Sequence, residues 1–113
     1  MTDPCRGEIW QADLGTTRGH EQAGARPVLV LSVNQFNQGP ADLVVVLPIT
    51  SRLRGIPMHV PIKPPEGGTK TPSVILCDAI RSISKDRFGK RWGTVSGQTM
   101  ATVEDRVRIL LGV

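Results

Sequence analysis

The sequence, 113 residues long, predicts a mainly β fold: a small, strongly bent antiparallel barrel with one C-terminal helix covering part of it. Three observations carry this. Short apolar, β-branched runs recur along the chain, 12 glycines and 9 prolines supply turns between them, and the hydrophobic period changes from two to alternating three and four only near the end. A chain of this length is expected to form one domain spanning residues 1–113 rather than two ordinary ones.

Residues 7–14, GEIWQADL, place Trp10, Ala12 and Leu14 on one face and Gln11 and Asp13 on the other, the period of a half-buried first strand. Residues 15–25 are rich in Gly, Thr and charge and form a loop of about ten residues. That is long beside the usual two to five of a hairpin, and such loops often carry function. Residues 27–31 (PVLVL) and 43–49 (LVVVLPI) are apolar and β-branched and suit the buried centre of a sheet. Pro48 cannot donate to a ladder, so it should mark a bulge or exit and re-aim Thr50 and Ser51. Residues 59–62 and 74–76 read as shorter strands separated by KPPEGGTK, whose prolines and paired glycines dictate a turn, and 80–83 is a further strand. From Gln98 onward Met100, Val103, Val107 and Leu110 recur at steps of three and four, with Glu104, Asp105, Arg106 and Arg108 mainly between them. This predicts an amphipathic helix, with Ser96 or Thr99 capping its start and Gly112 its end.

Composition narrows the function. A net charge of +4 and a pI near 9.7 favour a polyanionic partner, because each phosphate neutralised by Lys or Arg releases a condensed counterion. Aromatics at 4% and the absence of Tyr disfavour a base-stacking platform. No apolar run approaches the roughly 20 residues needed to span a bilayer, and the amino terminus carries no signal-peptide core, so a cytoplasmic protein is expected. His20 and His59 are isolated from each other and from Cys5 and Cys77, which have no CxxC spacing, so neither a metal nor any cofactor is expected. Phosphate-binding glycine loops and a GxSxG elbow are also missing, which disfavours nucleotide-dependent and acyl-transfer chemistry.

What remains is a constellation at segment ends. If consecutive strands pair antiparallel, the start of the 27–31 run lies beside the end of the 43–49 run, which sets Arg26 near Thr50. A planar fork of donors suits a phosphate, and a neighbouring hydroxyl can bond the same oxygens. The same residues also admit a structural reading: Arg26 paired with Glu21 or Asp78, Thr50 capping a turn, and Arg18, Arg52 and Arg54 as solvated surface.

The segments RGEIW (6–10), GHEQAGARPVLV (19–30), LPITS (47–51) and VILCDAIRS (74–82), followed by the closing helix, resemble in order the MazF/PemK (Kid) family of toxin–antitoxin ribonucleases. The stretch GxEQxGxRPV is the specific part of the match. The resemblance implies an SH3-like barrel and a homodimer with single-stranded RNA in a groove along its interface. It also implies cleavage at short sequence motifs, and a cognate antitoxin whose acidic tail occludes the groove. By this resemblance Arg26 and Thr50 fall on the family's catalytic arginine and threonine, and Glu21 and Ser51 on positions close to the active site. Two departures stand out: Asp78-Ala79 where relatives often have a glutamine after the acidic residue, and His20 where Ser is frequent. A substrate contact made by that glutamine is therefore not carried over.

Metal-free RNA cleavage uses the substrate's own 2′-hydroxyl and leaves a 2′,3′-cyclic phosphate and a 5′-hydroxyl, so the protein must align the groups and stabilise phosphorane-like charge. Arg26 is expected to clamp the scissile phosphate, Thr50 to donate to a non-bridging oxygen, and Glu21, His20 or water to act as base. Arg18, Arg52, Arg54 and Arg81 are expected to divide between phosphate and base contacts, with His20 and Ser51 also near substrate. Two rival readings are a toxin of the same barrel that binds a protein such as gyrase, in the manner of CcdB, and an RNA-binding module that does not cut.

Overall fold

The computed structural model describes residues 3–15 and 24–113. Arg18, His20 and Glu21 lie outside the described residues. Among the described residues, seven strands and two α-helices follow one another in the order β1 (Glu8–Asp13), β2 (Ala25–Val30), α1 (Asn34–Asn37), β3 (Leu43–Thr50), β4 (His59–Ile62), β5 (Ser73–Leu76), β6 (Arg81–Ser84), β7 (Phe88–Thr94) and α2 (Gly97–Leu111). The strands are ordered β4-β5-β3-β2-β1-β7, with β6 also on β3, and every pairing is antiparallel.

β3 is the longest strand and holds the sheet together. Its first half, Leu43 to Val46, pairs with β6, and its last two residues pair with β5 as Ile49–Ile75 and Thr50–Val74. Pro48 stands between these two partners. The strand does not end there, as its proline suggested. It runs on to Thr50, and the proline sits where a missing N–H matters least, at the change of partner.

The two faces of the sheet bury separate cores. Ile9, Leu29, Leu47, Ile49, Val60, Ile75 and Cys77 pack with Val103 of α2, while Trp10, Ala12, Leu14, Val28, Val30, Val44, Val46, Ile83 and Phe88 form the second cluster. Burial on both faces explains why β2 and β3 read as continuous apolar runs rather than alternating ones. In the second cluster Trp10 meets Phe88 edge to face with centroids 5.9 Å apart. Burial, reinforced by Asp78, pushes the Cys77 thiol up to about 11, so it behaves as a small apolar packing residue.

Helix α2 begins and ends as the caps suggested. The Ser96 hydroxyl accepts from the Thr99 amide at 3.1 Å, and Gly112, at φ 72°, ends the helix with its N–H on the Arg108 carbonyl. Glu66 adds a second cap from a distant turn: its carboxylate accepts from the Ser96 amide at 3.0 Å and from the Thr99 hydroxyl at 2.5 Å.

The hydrogen-bonded sheet is open among the described residues, since β4 and β7 are not paired with each other. The seam is filled instead by the tight turn Glu66–Gly68, whose backbone lies directly on β7. A Cβ on Gly68 would sit 2.3 Å from the Trp92 carbonyl oxygen, and one on Gly93 would sit 2.8 Å from the Gly67 carbonyl carbon. Only glycine permits that approach, so the molecule is barrel-like through close packing rather than through a closed ladder. Among the described residues no helix is long and apolar enough to cross a membrane.

Candidate functional site

A cleft of about 490 Å³ opens where β2 begins, β3 ends and the glycine seam meets β7; Arg26, Thr50, Ser51, Lys70, Lys90 and Trp92 are among its lining residues. The ladder between β2 and β3 explains why the first two meet. Val30 faces Val46, Leu29 faces Leu47 and Val28 faces Pro48, two residues before Arg26 on one strand and Thr50 on the other, and both of these line the cleft. On its other side Arg26 is opposite Ala12 of β1, and Thr50 is opposite Val74 of β5. Strand pairing therefore fixes the backbone of each residue from one flank.

The Thr50 hydroxyl accepts from the Arg52 amide at 3.2 Å. That bond holds the side chain in one orientation and leaves the hydroxyl proton to be donated outward. Ser51, exposed, is the next lining residue.

The cleft is cationic. Arg26, Lys70, Lys90 and Arg91 line it, and among the described lining residues there is no carboxylate. Arg91 is already engaged: it donates to Glu8 at 2.7 Å and to the Thr94 hydroxyl at 2.9 Å. Glu8 also accepts from the Cys5 amide and the Trp10 indole. Its burial works to raise the carboxyl pKa, but the bonds from Trp10, Cys5 and Arg91 outweigh this and hold it below the usual range.

The other residues singled out from sequence are dispersed. Arg52 and Arg54 are exposed on the segment after β3 and do not line the cleft. Arg81 opens β6 opposite Val46 and donates to the Leu14 carbonyl at 3.3 Å, at the root of the loop after β1; it too is outside the lining. Asp78 contacts His59 at 3.4 Å, and His59 is a residue of β4 opposite Leu76, in keeping with its reading as an ordinary strand position. Lys70, Lys90 and Gln11 were not singled out from sequence, although all three line the cleft. Lys70 had been absorbed into a turn and Lys90 into a stretch with no strand period, so only the closure of the fold reveals them. No group of three or more His, Cys, Asp or Glu is gathered among the described residues.

A barrel-like antiparallel sheet with a C-terminal helix and a basic cleft defines a small mainly β protein. Residues 5–111 match the family model for the PemK-like, MazF-like toxin of type II toxin–antitoxin systems, and the chain belongs to that family. It is 34% identical over 110 residues to the endoribonuclease MazF of Staphylococcus saprophyticus, a match covering 96% of this chain and 91% of the relative. The crystal structure of MazF from Deinococcus radiodurans superposes with a TM-score of 0.87 at 31% identity, covering 100% of both chains. An endoribonuclease from a mycobacterial species, solved in complex with its cognate antitoxin, superposes with a TM-score of 0.80 at 29% identity over 97% of this chain and 96% of that one.

Proposed function

We propose that the chain, an endoribonuclease by its family, cuts single-stranded RNA at the Arg26–Thr50 end of the cleft, without a metal, by attack of the substrate's own 2′-hydroxyl. The observation that carries this is that Arg26 and Thr50, at the start of β2 and the end of β3, line one cleft together with further cations. As the 2′-oxygen bonds to phosphorus, the bond to the 5′-oxygen breaks, and negative charge grows on the non-bridging oxygens. Arg26 supplies fixed charge and paired donors to those oxygens, and Thr50 supplies its hydroxyl proton as a further hydrogen bond. Pairing of Arg26 with β1 and of Thr50 with β5 holds the two backbones in place before the substrate arrives, so little reorganisation is needed at the moment of reaction.

The 2′-hydroxyl proton passes to Glu21, His20 or a water, and a proton is delivered to the departing 5′-oxygen. Ser51, His20, Arg18, Arg52, Arg54 and Arg81 contact the flanking nucleotides, the arginines dividing between phosphate and base contacts. The chain works as one toxin domain in the cytoplasm, as a homodimer with RNA along the interface. The complex of the mycobacterial endoribonuclease with its antitoxin supports control of this chain by a cognate antitoxin, and the basic cleft fits an acidic tail.

The test is the chemistry of the ends. Long unstructured RNA incubated with the protein in EDTA should yield 5′-hydroxyl and 2′,3′-cyclic phosphate ends at a short recurring motif. 5′-phosphate ends would overturn the mechanism, and intact RNA would overturn the activity and turn attention to binding of a protein target.

A further inference from the structure

The cleft continues past the Arg26–Thr50 pair, and its far part has its own character. Lys90 lies on β7, two strands from Arg26 by way of β1: Arg26 faces Ala12, Ala12 faces Phe88, and Lys90 is two residues further along. Two strand spacings are about 10 Å. Lys70 reaches the same space from the opposite direction, on the stretch between the glycine seam and β5, with Thr69, Thr71 and Ser73 beside it in the lining. Both lysines are exposed, and among the described residues neither forms an ion pair. Arg91 is paired with Glu8, so the uncompensated charge of this end rests on the two ammonium groups.

Two uncompensated lysines next to hydroxyl-bearing side chains, in a cleft continuous with the arginine–threonine pair and without a carboxylate among its described lining residues, match a run of phosphodiesters rather than one anion. We propose that Lys70 and Lys90 form a phosphate track that holds the RNA backbone next to the scissile bond. The glycine seam is what brings them there, since Gly68 and Gly93 let the turn that precedes Lys70 lie directly on β7. An ammonium is a point charge without the paired fork of a guanidinium, so the track grips backbone and reads no sequence. It sets how tightly and in what path RNA lies, while the cut itself stays with Arg26 and Thr50. This inference rests on the proposed ribonuclease activity.

The experiment uses an oligonucleotide of the mapped cut motif with 2′-deoxyribose at the cut position, which binds but cannot react. Its Kd is measured against salt for the wild type, Lys70→Ala, Lys90→Ala, the double variant and the exposed control Lys63→Ala. Each cleft lysine removed should lower the log–log salt slope by about 0.7, the value for one phosphate on a single strand, and the two effects should add. With all-ribose RNA, KM should rise while kcat and the cut motif are unchanged, and Lys63→Ala should behave as the wild type. Lys70→Gln and Lys90→Gln repeat the loss of charge with most of each side chain kept, should either alanine variant fold poorly. Slopes and KM unchanged in folded variants overturn the phosphate track, and a changed cut motif overturns the claim that the lysines read only backbone. Wild-type protein that leaves the all-ribose RNA whole overturns instead the activity on which the inference rests.

Discussion

Arg26 and Thr50 line one cleft, and the β2–β3 ladder that leads to them runs from Val30–Val46 to Val28–Pro48, two residues short of each. Pro48 forms the last of those pairs, where β3 changes partner from β6 to β5. The proposed reactive pair therefore inherits its geometry from the two central strands of the sheet rather than from a loop.

Thr50 tests the hydroxyl's part in this arrangement. Thr50→Val keeps the branched shape that suits a strand and removes the donor, and it should lower kcat on the order of a hundredfold with the fold intact. Thr50→Ser should retain most of the rate. Single-turnover cleavage of a defined RNA measures both, and a Thr50→Val variant at full rate would contradict the role.

Gly68 tests the seam. At φ 79°, with the Trp92 carbonyl oxygen 2.3 Å from where a Cβ would stand, Gly68→Ala has to displace backbone on β7. The cost should be about 1–3 kcal/mol, read as a lowered urea midpoint, and KM should rise because the cleft is displaced with it. Gly97→Ala, where nothing lies within 4 Å of the added methyl, should change stability by less than about 0.5 kcal/mol.

Glu66 makes stability depend on pH. Burial tends to raise its carboxyl pKa, but the bonds from Thr99 and Ser96 outweigh this and hold it below the ordinary 4.5. Between the lowered folded value and 4.5 the unfolded chain binds more protons than the folded one, so stability rises with pH through that window. The contribution is complete above 4.5 and is lost as pH falls through the folded value. Glu66→Gln should flatten the acid limb of the unfolding curve, and Glu66→Ala should also lower stability near neutral pH by about 0.5–2 kcal/mol through loss of the cap. Thermal unfolding from pH 3 to 7 measures both effects. An acid limb identical in wild type and Glu66→Gln would remove Glu66 from the account.

The central strands, the helix and its caps were legible in the sequence because their signals are local. β2 and β3 are long β-branched runs, and α2 keeps its three-and-four spacing from Met100 to Leu110. Their order along the chain even placed Arg26 beside Thr50. β7 was not legible: its residues FGKRWGT carry no period of two, since two glycines interrupt it and the register with β1 shifts on both sides of Trp10. The single turn of α1 is too short to show a helical period. Lys70 and Lys90 were missed for the same reason as β7, because what joins them is a backbone contact between glycines far apart in sequence. Arg81, by contrast, was conspicuous as a cation, and its guanidinium donates to the Leu14 carbonyl, a contact that no local pattern signals.

The central claim, that Arg26 acts on the scissile phosphate, is tested most directly by incubating wild-type protein and Arg26→Ala with one long unstructured RNA in EDTA and measuring the rate of new 5′-hydroxyl ends. Arg26 is exposed at the start of β2, so the variant should keep the wild-type fold and oligomeric state. The account predicts that its turnover falls on the order of a hundredfold or more. A folded Arg26→Ala protein that cuts at the wild-type rate would contradict it.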